Sequence, residues 1–420
     1  MLPRRKSGRR YPDRTRISRP SSSSRSGRKD EATDQSSSPV GPRVVVASDK
    51  FKGSATAAQV GQALAAGVTA VRADAVVEVV PVADGGEGTL EAAFAAGFGR
   101  RTAAVHGPTG APLTAAFGLR GDEAVVELAA ASGLDRLPAG VPAPMGATSR
   151  GTGELIRAAL DAGARSIILG VGGSASTDGG AGLLAALGMR LLDAAGVDLP
   201  DGGGALQRLD RIDASGLDPR VAEVEVVLAS DVDNPLLGDR GAAAVFGPQK
   251  GAGAEEIRRL DAALRRFSRL VSEALGTGAD RFEEHPGAGA AGGVGFAALA
   301  GLRATRRSGA DVVLDLVELP ARLPGTDLVI TGEGSLDEQT LGGKTPMGVL
   351  TAGRRAGVPV LAVAGRSLLT EAQVRAAGFS GLLTVTELEP DPGRSMAEAT
   401  ALLRLIGERI GSTLRPAARR

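Results

Sequence analysis

Cysteine is absent from the 420 residues, which excludes disulfides, thiolate zinc sites and cysteine nucleophiles. The two histidines, His106 and His285, are too few for a multi-histidine metal site and argue against a histidine-based triad. Acid–base chemistry is therefore expected from Asp, Glu or Lys. A chain without cysteine suits a reducing compartment, and we expect a cytoplasmic protein.

Aromatic residues make up only 2% of the chain and tryptophan is absent. Because single-stranded nucleic acids bind through aromatic stacking, this composition argues against a nucleic-acid partner. The longest charge-free stretch at a candidate helix, residues 286–302, is too short and too rich in glycine to cross a membrane. We expect a soluble protein with no nucleic-acid and no membrane partner.

Positive charge is concentrated at the beginning of the chain. Residues 1–40 contain eleven Lys or Arg against four Asp or Glu, a charge of +7, so the rest carries −6 of the overall +1. This segment is rich in Arg, Ser and Pro and has no apolar periodicity, which predicts a disordered basic tail. A transit peptide has a similar composition, but the acidic residues argue against one. The sequence assigns the tail no function.

Short apolar runs alternate with helical patterns over most of the remaining chain. Runs at 44–47, 75–84, 166–171, 221–229 and 327–331 predict strands that are followed by helices. This rhythm is typical of a doubly wound parallel sheet whose loops meet at one edge. Between residues 102 and 128 the segments are short and separated by turns, which predicts a mixed or antiparallel sheet.

A glycine-rich loop at 172–180 follows one of these strands and precedes a helix. Its backbone amides would point at a common position, a geometry that suits a phosphate or a carboxylate. The residues that define the candidate anion site are Gly172, Gly173, Ser174 and Ser176, and Asp178 lies in the same loop. An ordinary strand-to-helix turn with a polar cap is the alternative. A second loop, 285–295, contains Gly289, Gly292 and Gly293 and is also a candidate phosphate-binding segment.

Charged side chains occupy four further strand-to-helix turns. They are Asp49, Lys50 and Lys52; Asp84 and Glu87; Asp231 and Asp233; and Glu333, Asp337 and Lys344. Phosphoryl transfer needs this inventory, because lysines and amides bind phosphates while carboxylates bind magnesium or accept a hydroxyl proton. Taken singly, each turn could equally hold solvated charges or helix caps. No Walker A motif occurs, and no GxGxxG follows the first strand.

Six blocks together resemble the type I glycerate kinase family. They are ASDKFKGSATAAQV, PVADGGEGT, GVGGSASTDGGAGLLAALG, SDVDNPLLGDRGAAAVFGPQKGA, PGAGAAGGVG and DLVITGEGSLDEQTLGGKTPMGV, in family order from Val44 to beyond Gly365. The resemblance implies ATP-dependent phosphorylation of D-glycerate, with Mg²⁺, to give 2-phosphoglycerate. It also implies a flavodoxin-like domain built from both chain ends, residues 41–84 and 286–415, with an inserted α/β domain at 85–285. The oligomeric state stays open.

Residue type and loop position suggest roles within that reaction. Lys50 and Lys52 would neutralise the substrate carboxylate or the γ-phosphate, and Gly172 to Ser176 would bind phosphate. Asp231 and Asp233 would hold Mg²⁺ or position the hydroxyl group. Asp178 or Asp84 would be the base, and Glu333 with Lys344 would form a second ionic pair at the cleft.

Three alternatives are weighed against this interpretation. Phosphorylation could occur at the 3-hydroxyl instead. A kinase of the galactokinase–homoserine kinase type also has a glycine and serine loop like GVGGSAS, but that similarity leaves the other five blocks unexplained. A non-catalytic regulator that binds a hydroxy acid would use the glycines but not the repeated Asp and Lys residues.

Overall fold

The computed structural model describes residues 41–276 and 280–414, with the backbone alone for Asp280 and Arg281. The predicted tail, 1–40, lies outside the described residues. In chain order the strands are β1 (Arg43–Val46), β2 (Val76–Val79), β3 (Gly99–His106), β4 (Pro112–Arg120), β5 (Glu123–Glu127), β6 (Ser166–Gly170), β7 (Arg190–Leu192), β8 (Arg211–Asp213), β9 (Glu225–Ala229), β10 (Thr305–Arg307), β11 (Leu328–Leu336), β12 (Val360–Ser367) and β13 (Gly381–Thr384).

The α-helices in chain order are α1 (Ala57–Val71), α2 (Thr89–Ala95), α3 (Ala129–Ser132), α4 (Arg150–Asp161), α5 (Ala181–Ala186), α6 (Ala242–Phe246), α7 (Ala254–Leu275), α8 (Asp280–Glu283), α9 (Ala290–Gly301), α10 (Gly309–Leu316), α11 (Leu319–Arg322), α12 (Glu338–Leu341), α13 (Thr345–Ala356), α14 (Glu371–Ala377), α15 (Pro392–Ala397) and α16 (Ala399–Thr413). Short 3₁₀ helices include Pro248–Lys250 and Val385–Glu387. No helix within the described ranges is long and apolar enough to cross a membrane.

The first sheet is entirely parallel and has the strand order β13-β12-β11-β1-β2. Numbered by their order within this sheet, the strands run 2-1-3-4-5, which is the flavodoxin-like arrangement. Two of its strands come from the beginning of the chain and three from the end. The predicted flavodoxin-like fold, built from both chain ends, is confirmed.

Alternating side chains of the first sheet enter two different cores, as the period of a strand requires. Val44 and Val46 pack under α1 and α16, whereas Val45 and Ala47 face α10 and α13 on the opposite side. A capping box joins Thr56 to Gln59 at the start of α1.

The second sheet is mixed and has the order β10-β9-β6-β5-β4-β3. Its β3, β4 and β5 are antiparallel neighbours, while the remaining pairs are parallel. One face packs against α4, α5, α7 and α9. From the other face, Val125, Ile168 and Ala229 enter the same core as Val45 of the first sheet. The predicted mixed sheet is confirmed, and the two sheets share one hydrophobic core.

Elements of the second sheet continue along the chain beyond residue 286, the position of the predicted domain boundary. Helix α9 packs in the core of the second sheet, and β10 pairs with β9 through Thr305↔Val227. The division into two domains stays a proposal, and sheet membership favours placing its second boundary near residue 308. The sequence misses β10 because three residues carry no readable period.

The segment Gly332–Ser335, expected as a loop, continues strand β11 instead. Its backbone stays in register with β12, from Glu333↔Ala364 to Ser335↔Arg366. Parallel pairing satisfies these backbone groups, and this outweighs the turn preference of the glycines. Glu333 is consequently held on a strand.

Candidate active site

A cavity of about 670 Å³ lies at the carboxyl ends of the first sheet. Its walls include residues that follow β1, β11, β12 and β13, together with two loops, 84–87 and 172–173. Strand order reverses between β1 and β11, and in α/β sheets ligands bind at such a switch point. The position of the cavity is thus the one expected for a substrate site.

Lys50 connects the loop after β1 to the loop after β2. Its Nζ donates a hydrogen bond to the backbone oxygen of Glu87 at 2.6 Å and lies 3.9 Å from the Glu87 carboxylate. The side chain is half-buried and lines the cavity beside the more exposed Lys52. Two ammonium groups therefore face a space large enough for a phosphorylated ligand.

Five carboxylates also line the cavity, those of Asp49, Asp84, Glu87, Glu333 and Asp337. Burial raises the pKa of Asp49 to about 7, with a further contribution from Asp84, while Lys50 opposes the change. Burial likewise raises the pKa of Glu333, although the Thr340 hydroxyl donates a hydrogen bond to it. Like charges held together favour a proton or a cation between them. The acidic wall can thus accept a proton or contribute to a metal site.

The loop after β2 is held in place by a carboxylate that sequence reasoning misses. Glu127, the last residue of β5, is buried, and it accepts a hydrogen bond from the Leu90 amide at 2.8 Å. It thereby caps the first turn of α2, whose own N-cap is Gly88. Burial raises the pKa of Glu127. The only feature of the sequence that indicates this role is a single acidic residue at the end of an apolar run.

Two glycines bring the loop after β6 into direct contact with the loop after β2. A Cβ atom on Gly172 would lie 2.4 Å from the Gly86 Cα, and one on Gly173 would lie 2.6 Å from Glu87 Oε1. Gly173 also has a φ of 71°. Both glycines line the cavity next to the charged loop after β2. This agrees with the expectation that the loops meet at one edge of the sheet.

The next residues of the glycine loop turn away from the cavity into the second sheet. Asp178 is fully buried and accepts hydrogen bonds from the Ser149 amide and hydroxyl, both at 2.8 Å. The amides of Gly180 and Gly182 donate to it as well, at 3.1 and 3.2 Å. These four donors occupy both carboxylate oxygens, which makes Asp178 an anchor between α4 and α5.

Ser174 and Ser176 are buried beside Lys250, a side chain that is only 1% exposed. Lys250 Nζ donates to Ser174 Oγ at 2.9 Å and to the backbone oxygen of Ser176 at 2.5 Å. Burial lowers the pKa of Lys250 to about 7, and Asp178 opposes that change. Neither serine lines the cavity, and the sequence gives no indication that this lysine is internal.

Asp231 and Asp233 have different partners and do not line the cavity. Asp231 accepts hydrogen bonds from the Gly309 and Ala310 amides at the start of α10, and burial raises its pKa. Asp233 is largely exposed and pairs with Arg306. In residues 41–276 and 280–414, no three Asp, Glu or His side chains converge as ligands for a metal ion.

The glycines predicted in the second loop have a packing function in the structure. A Cβ atom on Gly292 would lie 2.1 Å from the Ser176 backbone oxygen, and one on Gly293 would lie 2.7 Å from the Gly179 Cα. A Cβ on Gly289 would lie 2.2 Å from the Pro235 backbone oxygen. The start of α9 therefore closes against the back of the glycine loop.

The opposite wall contains Lys344 and groups that the sequence does not single out. Lys344 immediately precedes α13 and lines the cavity, and its positive charge acts to lower the pKa of Glu333. Arg366, at the end of β12, is exposed to the cavity and bonds Ser335 Oγ at 3.2 Å. Beyond it the wall is mainly apolar and consists of Val385, Pro392, Met396 and Ala399 together with the polar residues Thr386 and Ser395. The site thus combines cations, acids and an apolar surface.

Comparisons with known proteins agree on one family. The model of the glycerate kinase family matches residues 44–415. Glycerate kinase of Bacillus subtilis (strain 168) and glycerate 2-kinase of Escherichia coli (strain K12) are each 46% identical over 326 residues, covering 77% of this chain and 85% of theirs. A crystal structure described as glycerate kinase 2 from Salmonella typhimurium LT2 has a TM-score of 0.76 and 42% identity, over 89% of this chain and 98% of that one.

Proposed function

This chain belongs to the glycerate kinase family, whose members are phosphotransferases, and we propose that it transfers the γ-phosphoryl group of ATP to the 2-hydroxyl of D-glycerate. The observation that supports this most is the cavity at the switch point, where Lys50, Lys52 and Lys344 face a group of carboxylates. The 2-position follows the name of the Escherichia coli relative.

The cations and the glycine amides account for anion binding. Lys50 is held by Glu87 and faces the cavity, so it is placed to neutralise a γ-phosphate or a glycerate carboxylate. Gly172 and Gly173 line the cavity, and the absence of Cβ atoms lets their loop pack directly against Gly86 and Glu87. In the proposed scheme their backbone amides bind phosphate. Ser174 and Ser176 support this loop from behind in the proposed scheme.

Asp49 is the proposed general base. It lines the cavity, and its pKa of about 7 suits a group that accepts a hydroxyl proton near neutral pH. The glycerate oxygen attacks the γ-phosphorus, the bond to the β-phosphate oxygen breaks, and the proton passes to Asp49. Asp178, considered as a base from sequence, already accepts four hydrogen bonds and does not line the cavity. Asp84 lines it, and we assign Asp84 to cation binding.

The cavity carboxylates fit Mg²⁺ better than Asp231 and Asp233 do. Protein Mg²⁺ sites commonly use one or two carboxylates and complete the shell with phosphate oxygens and waters. Asp84 and Glu333 line the same cavity as the lysines and would hold the ion, which would neutralise charge on the phosphates. The location in the cytoplasm stays a prediction from composition.

A coupled assay tests the proposal. With ATP, Mg²⁺ and D-glycerate, we expect a product that enolase consumes directly, because enolase acts on the 2-phosphate. A signal that requires added phosphoglycerate mutase would indicate the 3-phosphate instead. Glycerate binding without ADP release would favour the non-catalytic regulator, and no binding of either substrate would reject the kinase proposal.

A further inference from the structure

The two ends of the cavity differ in chemistry. Lys50 and Gly172 lie at the end next to β1, whereas Val385 and Met396 follow β13 at the other end. β13 is three strands away from β1 in the sheet. Neighbouring strands are about 4.8 Å apart, so the carboxyl ends of β1 and β13 are roughly 14 Å apart along the sheet edge. An extended nucleoside triphosphate spans such a distance between its base and its last phosphate.

Met396 is the exposed member of the apolar end. Its side chain is 47% exposed, whereas Val385 and Ala399 are 2% and 3% exposed. Its Cε atom lies 3.1 Å from where a Cβ on Gly53 would be, so the thioether reaches towards the loop after β1. Packing within the protein does not account for a large apolar side chain left open at a cavity. Methionine is flexible and polarisable, which suits contact with a flat ligand surface.

We propose that Pro392 and Met396, which are exposed and pack over the buried Val385 and Ala399, form the binding surface for the purine base of the nucleotide, with the phosphates directed towards Lys50 and Gly172. This inference rests on the proposed function. Glycerate is small and charged, so it has no group that gains from an apolar surface. The base is the flat and least polar part of ATP. Its burial against an apolar surface removes both the base and the apolar side chains of the cavity from water.

The residues between the two ends agree with this orientation. Arg366 lies near the end of β12, the strand between β11 and β13, and its side chain is exposed to the cavity. A guanidinium group at that position can bond the phosphates next to the ribose. Phe51 also lines the cavity but is only 2% exposed, so the base is held by aliphatic and thioether contacts and not by aromatic stacking.

The test compares a ligand that has the base with one that lacks it. Binding of ADP and of inorganic tripolyphosphate is measured by calorimetry for the wild-type chain and for Met396→Ala. We expect the Kd of ADP to rise by about tenfold, while that of tripolyphosphate stays within about twofold. Met396→Leu, which keeps the apolar surface, should restore ADP binding to within about threefold. In the coupled assay the KM for ATP should rise and the KM for D-glycerate should not.

Leu405→Ala is the matched control, because Leu405 is an exposed apolar residue on α16 that does not line the cavity. Unchanged ADP binding in Met396→Ala, or equal weakening of ADP and tripolyphosphate, would overturn the inference. The outcome is separate from that of the proposed function. ADP binding that depends on Met396 supports the base site even if no glycerate is phosphorylated, and turnover with an unaffected Met396→Ala protein rejects the base site alone.

Discussion

Two regions of this molecule combine glycines with charged residues, but they differ in whether the charged side chains reach the cavity. In the first, at the ends of β1 and β11, Lys50 and Glu333 face the cavity. In the second, after β6, Asp178 is buried away from the cavity and Lys250 is buried against the loop. The first segment leaves its charges accessible to a ligand, whereas the second uses them within the protein.

The difference lies in how many internal partners each charged group has. The Asp178 carboxylate accepts hydrogen bonds from four donors, and Lys250 donates to two acceptors in the glycine loop, Ser174 Oγ and the backbone oxygen of Ser176. Among the described residues, Glu333 accepts one side-chain hydrogen bond, from Thr340. A charged group with unused hydrogen-bonding capacity at a cavity is available for chemistry, while a saturated one fixes the backbone. Substitutions in the two segments should therefore affect different properties.

The largest effect is expected from Lys50→Met. Loss of the ammonium group removes an electrostatic contact to the phosphates, and kcat/KM should fall by about 10²–10³-fold. The melting temperature should change by no more than about 4 °C, because Lys50 makes a single half-buried hydrogen bond to Glu87. The coupled assay and thermal unfolding check the two parts. Arg101→Met, at an exposed position on β3, is the control. Unaltered turnover in Lys50→Met would remove this lysine from the mechanism.

Asp178→Asn should have the opposite profile. An amide replaces a carboxylate that accepts four hydrogen bonds, and its NH₂ group would face N–H donors. We expect the free energy of unfolding to fall by about 3 kcal/mol, measured by urea denaturation. In the folded fraction, kcat/KM should decrease by less than about tenfold. A variant of normal stability that is nevertheless inactive would return Asp178 to the catalytic role that the sequence suggests.

Asp49→Asn sharpens the comparison, because it should stabilise the fold while lowering activity. The pKa of Asp49 is about 7 in the folded protein against 3.8 for the unperturbed group, so the folded state binds more protons between these values. The stability of the wild-type chain therefore falls as the pH rises from about 4 to about 7. Asparagine has no charge to bury, so the variant should gain about 2 kcal/mol at pH 8.

This gain should disappear as the pH is lowered towards 4, where the aspartic acid is also neutral. Urea denaturation across this range, with EDTA present, measures the difference between the two proteins. A gain in stability that is the same at every pH would show that the pKa of Asp49 is not raised in the folded protein, and it would contradict this prediction. Activity at pH 8 should fall together with the gain in stability, because the proposed base is lost.

Sequence patterns were sufficient for the elements with a clear period. Helix α7, Ala254–Leu275, can be recognised in the sequence because its apolar positions recur on one face over about six turns. The parallel sheet follows from apolar runs that alternate with helices. The pair β7 and β8 was not predicted, since each strand has three residues and their pairing depends on distant contacts.

The sequence identifies loops that form the site, but it does not identify which residues of those loops line the cavity. Lys50, Asp84 and Glu333 do line one cavity, whereas Ser174 and Asp231 do not. In each case a charged or polar residue follows a strand, and the sequence does not reveal whether other backbone amides will reach it. Lys250 makes the same point, since a lysine after a proline turn normally indicates a surface position. Burial of such groups is decided by tertiary packing.

The parallel sheet joins β1 to β11, and Val45 pairs with Val329, a residue that follows it by about two thirds of the length of the chain. During synthesis, β1 and β2 leave the ribosome long before the strand that completes their sheet. The cavity also needs residues after β13, as late as Ala399. A nascent or truncated chain that ends before this point has no complete substrate site, so catalysis begins only after translation has nearly finished, and folding of the first sheet must wait as long.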